Sequence, residues 1–249
     1  MPVLTGVGRV PRAGVDPSVH GATRADIATR PNLAVIVPLA LGALLAGCGG
    51  PELRFDYDPV WTRQYADRAI VLFAVDDLRA AVTSRQEPPD WVGFERSGFG
   101  IPYPVRTAGA EPFASQVEND LLLELRSLGF RVRPSPVPAA EDPGRLSREL
   151  GDPAGRGLAV TIRAWQTDAY RSVDVVYRFD VRVIDAEGGV VVNDVVQLED
   201  TVRGTWSRER YEDAVQRVYA GAIRRVVREN GRVMAGLAGA DPASPSEGH

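Results

Sequence analysis

The spacing of apolar residues changes along this chain, and each change marks an element. Phe113, Val117, Leu121, Leu122, Leu125 and Leu128 recur at helical spacing, which predicts an amphipathic helix over about 112–128. Pro112 suits the first helical position and Gly129 the stop, with Glu118, Asp120, Glu124 and Arg126 expected to point outward. Tyr211, Val215, Val218, Tyr219, Ala222, Ile223, Val226 and Val227 form a second stripe. Ser207 is its expected N-cap, and Glu209 favours the first turn. Between the two helices the period falls to two. Leu158, Val160, Ile162 and Ala164 alternate with more polar neighbours. Val173, Val175, Tyr177, Phe179, Val181 and Val183 stand opposite Asp174, Arg178, Asp180 and Arg182. One packed face and one wet face mark antiparallel strands. Asp185 to Gly189 reads as a tight hairpin, and a third strand is expected from about Val190 to Thr201.

The remaining segments are shorter. Ala69 to Val75 is an apolar run with β-branched residues, ending at Asp76 and Asp77; it predicts a buried strand. Residues 76–111 hold Pro-Pro, Ser-Gly-Phe-Gly and Pro-Tyr-Pro without a sustained period, which predicts a long loop. Phe130 to Arg133 predicts a strand, and a short helix is expected near 143–150. The expected fold is α+β: a two-layer sandwich with a mostly antiparallel sheet and two main amphipathic helices on one face. The expected organisation is a leader over 1–47, an anchor and tether over 48–68 able to dock through Phe55, Tyr57 and Trp61, a domain over 69–236, and a disordered tail over 237–249.

The leader rests on a different pattern. Leu33 to Leu45 runs thirteen residues without a charge, about 20 Å of helix, which is short of a bilayer's hydrocarbon core. Arg24 and Arg30 precede it and small residues follow, the layout of a secretory signal. Leu45, Ala46, Gly47 and Cys48 resemble the lipobox of bacterial lipoproteins, with cleavage after Gly47 and a lipid on Cys48. Gly49 follows where aspartate would resemble an inner-membrane retention signal. The expected location is therefore the cell envelope, lipid-anchored, on an outer membrane facing the periplasm where the organism has one. About thirty residues precede the apolar run, long for such a leader, so initiation is expected at an internal codon such as Val15 or Val19.

Composition narrows the chemistry. The net charge is −4, so no basic excess argues for nucleic acid. Residues 1–47 carry four arginines and two aspartates, which leaves −6 on the remainder. Cys48 is the sole cysteine, and the only histidines are His20 and His249, so histidine-dependent catalysis and His-ligated zinc have no material. No cofactor and no metal site are expected. Asp76 and Asp77, with Glu95, are the carboxylates that could support a hydrolase; solvated strand ends are the simpler expectation, with Arg79 paired to a neighbouring carboxylate. Trp91, Phe94, Phe99 and Tyr103 are four large rings in one Gly- and Pro-rich segment. They either fold back on the sheet or form a contact surface, which Trp165 and Tyr170 could extend. Ser97-Gly98-Phe99-Gly100 lacks the following lysine and helix of a phosphate loop.

The segments Val75-Asp76-Asp77-Leu78-Arg79 and Leu125-Arg126-Ser127-Leu128-Gly129-Phe130-Arg131-Val132 are similar to the YajG-like family of bacterial lipoproteins. The strand Leu158 to Ile162 and the Asp185-Ala186-Glu187-Gly188 hairpin are compatible with it. Auxiliary lipoproteins of ABC-type transporters share a similar element order. The resemblance implies an envelope lipoprotein and carries no catalytic residues. The leading expectation is a membrane-tethered, non-enzymatic binding or assembly module contacting an envelope protein complex. The alternatives are an accessory lipoprotein passing an apolar ligand for a transporter and, more remotely, the carboxylate hydrolase.

Overall fold

A computed structural model describes residues 50–65, 70–135, 155–204 and 207–239, together with Leu146, Arg148 and Glu149. The leader, Cys48 and residues 240–249 lie outside the described residues, as does most of the helix expected near 143–150.

The domain is α+β, with one mixed eight-stranded sheet. The strands are β1 (Glu52–Leu53), β2 (Ile70–Asp77), β3 (Trp91–Arg96), β4 (Pro102–Thr107), β5 (Arg131–Pro134), β6 (Arg156–Ala169), β7 (Ser172–Ile184) and β8 (Val190–Arg203). The helices are a single turn α1 (Ala80–Thr83), then α2 (Phe113–Ser127), α3 (Arg208–Val226) and α4 (Gly231–Leu237). The long β6–β7 and β7–β8 ladders are antiparallel, as the alternating pattern requires. Across the other edge of β6 the pairing turns parallel, with β2 and then β3. β5 joins β2 in parallel, β4 joins β3 antiparallel, and β1 joins β4 in parallel.

Helices α2, α3 and α4 cover one face of the sheet. A single apolar core gathers their stripes with Val71, Phe73, Leu158, Val160, Tyr177 and Phe179. Gly129 ends α2 with φ 100°, the left-handed step that a glycine takes without strain. Pro112 sits one position outside α2, as its N-cap. Ser207 caps α3 by accepting from the Arg210 amide at 3.3 Å, and Asn230 caps α4 by accepting from Val233 at 3.1 Å. On the opposite face Leu146 packs with Ala74, Ala159 and Ile184.

Strand β6 carries a bulge between Ile162 and Ala164. The extra residue reverses the alternation: Leu158, Val160 and Ile162 face the core before it, and Trp165, Thr167 and Ala169 after it. Arg163 is thrown outward, where it pairs with Asp180 at 2.7 Å. The expected inward Ala164 is therefore replaced by Trp165, which sits in the core against Phe55, Phe113, Tyr177 and Tyr219.

Several boundaries differ from expectation. The segment 76–111 is not a long loop: it contains α1 and the β3–β4 hairpin. Its prolines hid the strands, because Pro102 and Pro104 sit on a short strand whose partner β1 is two residues long. The tether is shorter than 48–68, since β1 already pairs with β4 and Phe55 is buried in the core. Tyr57 reaches Glu124, while Trp61 stays exposed. Leu237, expected in the tail, is fully buried as part of α4.

Candidate functional site

Two places on the sheet collect the residues singled out by the sequence, and β6 positions both. Asp77 aligns with Ile162 and Gly93 aligns with Thr167. Strand β2 therefore leaves the edge of β6 before the bulge and β3 joins it after, so the sheet forks. Arg79 fills the fork. Its guanidinium grips Asp77 through Nε and Nη2, and donates to the carbonyls of Trp91 and Pro89. The same cation lies 5.1 Å from the centroid of the Phe113 ring on α2. The expected pairing of Arg79 with a carboxylate is what the structure contains, and it is buried.

A cleft of about 450 Å³ opens beside the fork on the face away from α2 and α3, lined by Trp91, Arg163, Gln166, Asp168, Asp174 and Val176 among others. The indole nitrogens of Trp91 and Trp165 are buried and have no hydrogen-bond partner among the described residues. The lining is mixed, with Ala80, Ala164 and Val176 set among the charged side chains.

The carboxylates Asp76, Asp77 and Glu95 do not converge. Asp77 and Glu95 align with positions on β6 seven residues apart, Ile162 and Ala169, roughly 20 Å along a strand. Asp77 is held by Arg79, and Glu95 pairs with Arg208 at 3.4 Å. Asp76 is buried rather than solvated. Among the described residues no group of three or more His, Cys, Asp or Glu could hold a metal ion.

The four aromatic residues separate as well. Trp91 is buried and meets Phe94 edge-on at 5.4 Å. Phe99 stands almost wholly exposed at the tip of the β3–β4 hairpin, with Ile101 and Tyr103 beside it. Tyr170 reaches this tip from the β6–β7 turn, its hydroxyl donating to the Gly98 carbonyl at 3.4 Å. Trp165, expected to extend a surface, belongs to the core. The tip itself is a backbone device. The amide of Gly100 bonds to the Ser97 carbonyl at 2.8 Å, that of Ser97 to the Ile101 carbonyl at 2.9 Å, and Gly100 takes φ 80°. Ile101 was missed by sequence reasoning, although its place after a Gly-X-Gly turn and before Pro-Tyr-Pro could have marked it.

The tip lies at the end of the domain where the described chain begins. The Arg106 amide donates to the Pro51 carbonyl at 3.1 Å, and a Cβ at Gly50 would stand 3.0 Å from the Pro104 oxygen. Leu45, Ala46, Gly47 and Cys48 precede this point and are outside the described residues.

A third group of polar residues is internal. Asp120 and Glu124, expected outward, are buried where α2 meets α3. Asp120 accepts from the Tyr219 hydroxyl at 2.5 Å, and Glu124 accepts from Tyr57 at 2.6 Å and pairs with Arg228. Helical spacing alone could not place them inward, because they flank the apolar stripe and are drawn in by partners distant in sequence. Burial pushes the Asp120 carboxyl up to about 6 against the opposing Tyr219 hydrogen bond, and raises the Tyr219 hydroxyl well above its ordinary value.

No family model matches the chain, and no curated protein matches it in sequence. Among solved structures the chain is similar to a Xanthomonas campestris protein of the DUF330 family, at 14% identity and TM-score 0.40, covering 70% of this chain and 90% of that one. A PelC dodecamer from Paraburkholderia phytofirmans is similar at 16% identity and TM-score 0.34, covering 74% and 94%. Neither bears the YajG name. At these scores the likeness carries no argument about the family or role of this chain.

Proposed function

We propose that this protein is a bacterial envelope lipoprotein, held to the membrane through a lipidated Cys48, whose α+β domain is a non-enzymatic binding or assembly module. The observation that carries the reading is the Leu45-Ala46-Gly47-Cys48 sequence placed four residues before the first strand. The YajG-like resemblance belongs to the same reading, as does an outer-membrane location where the organism has one. Three acyl chains on a processed cysteine bury enough methylenes for stable anchoring. Among the described residues no helix is long and apolar enough to cross a membrane. A wet face carrying Arg163, Arg178 and Asp180 supports contact with a partner in an envelope complex.

Replacing Cys48 by Ser tests the anchor. The variant is expected to lose incorporation of labelled palmitate and to leave the membrane fraction, while its far-ultraviolet circular dichroism stays that of the wild type. A wild-type protein that takes up no palmitate would end this reading. Cross-linking of the wild type in cells is expected to recover an envelope protein.

A further inference from the structure

This inference rests on Cys48 being the lipidated anchor. Phe99 is 95% exposed, Ile101 55%, Tyr103 49% and Tyr170 43%, all at one end of the domain. A phenyl ring left in water forgoes the favourable transfer of its apolar surface. The turn that displays it has no need of it: Ser97, Gly100 and Ile101 form the turn through backbone bonds, and the Ser97 hydroxyl accepts from the Ile101 amide at 3.2 Å. The side chain at 99 is free to serve something outside the domain.

The direction of the chain says what that is. Strands β1 and β4 are parallel, with Glu52 aligned to Arg106 and Leu53 to Thr107. Passing backward from Glu52 to Gly50 therefore follows β4 from Arg106 towards Pro102, and Pro102 adjoins the tip. Gly50 is already level with Pro104. Two further residues, at most about 7 Å of chain, reach Cys48. The acyl chains start there, so the bilayer surface lies within reach of Phe99. Arg171, whose guanidinium carbon is 5.4 Å from the Tyr170 ring centroid, adds an exposed positive charge at the same end, suited to anionic headgroups. Arg96 adds none, being tied to Asp168.

The geometry points to a second membrane contact: Phe99 and Ile101, flanked by Tyr103 and Tyr170, enter the interfacial layer of the same bilayer that holds Cys48. Aromatic side chains favour that layer. One attachment alone is a pivot; the second contact fixes which way the domain faces.

The test uses the full chain with Phe99→Cys. Because lipidation occupies Cys48, the sole native cysteine, an environment-sensitive fluorophore then attaches only at 99. The labelled protein is placed in phosphatidylethanolamine and phosphatidylglycerol vesicles containing a lipid with a nitroxide near its headgroup. Emission at 99 is expected to shift to the blue and be quenched. The same label at Glu187→Cys, in the turn at the opposite end of β7, is expected to keep its emission. Lipidated, vesicle-bound protein that is unquenched at 99, or quenched equally at both positions, overturns the proposal. So does a label unquenched by the lipid yet shielded from aqueous iodide in native membranes, which assigns the tip to a protein partner. Mass spectrometry of the N-terminal peptide reads the anchor separately. An unmodified Cys48 overturns the anchoring, and the tip contact falls with it if the chain fails to sediment with vesicles.

Discussion

Arg79 holds Asp77 with two nitrogens at once, Nε to Oδ1 at 2.9 Å and Nη2 to Oδ2 at 2.8 Å, although the two residues are only two positions apart. Its Nη1 donates to the Trp91 carbonyl at 2.6 Å, and Nη2 also to that of Pro89 at 2.8 Å. One side chain therefore ties the end of β2 to the start of β3 across the fork. Removing it leaves two carbonyls without this donor and the partly buried Asp77 carboxylate with the residue-79 amide in place of the guanidinium, so Arg79→Ala is expected to cost up to about 3 kcal/mol. Arg79→Lys keeps the charge without the planar fork and should recover only part. Urea unfolding midpoints measure both; a loss under about 1 kcal/mol for alanine would contradict the role.

Gly93 is the contact point of β3 with β6. It takes φ 151°, and a Cβ there would stand 2.1 Å from the Thr167 carbonyl oxygen and 2.3 Å from its hydroxyl. Gly93→Ala is expected to push the β3–β4 hairpin off β6. Hydrogen exchange should show lost protection in 92–95 and 167–169, with the β7–β8 ladder unchanged. Unaltered protection in β3 would mean that the strand can shift at little cost.

The buried Asp120 gives the fold a pH dependence of predictable sign. Its carboxyl is raised to about 6 in the folded protein from an ordinary value of 3.8, chiefly by desolvation. Between those values the folded state holds a proton that the unfolded chain has released. The stability from this group is therefore full below about pH 4 and lost as pH rises through about 6. Asp120→Asn keeps an acceptor for Tyr219 and has no charge to bury. The Tm of the variant relative to wild type is expected to rise from pH 4 to 6.5 and then level off. A difference independent of pH would refute the assignment.

Much of this architecture was legible because apolar spacing reports burial against a regular surface. The stripes at Phe113–Leu128 and Tyr211–Val227, and the alternation through Val173–Val183, lie on elements long enough for the period to repeat. Where the physics was local or distant, the pattern failed. The inserted residue at Arg163 shifted the phase of β6 and brought Trp165 inward in place of Ala164. The β3–β4 hairpin was obscured by prolines that a short strand beside a two-residue neighbour tolerates. Asp120 and Glu124 were drawn inside by Tyr219, Tyr57 and Arg228, partners about 65–105 positions away that no local period can reveal. Of the candidate surface, Phe99 and Tyr103 were visible as rings in a turn-rich segment, but which rings would be exposed depended on the fork.

A sheet that forks has three edges instead of two, and each one exposes backbone donors and acceptors to a passing strand. The outer edge at β1 is two residues long, and Arg208 occupies the Glu52 carbonyl at 2.6 Å. The edge at β5 is four residues long and ends at Pro134, which has no amide hydrogen to offer. The third edge, β8, runs fourteen residues and, among the described residues, pairs with β7 alone. Any chain that lengthens this sheet by strand addition has β8 as its template, at the far side of the fork from the hairpin that carries Phe99.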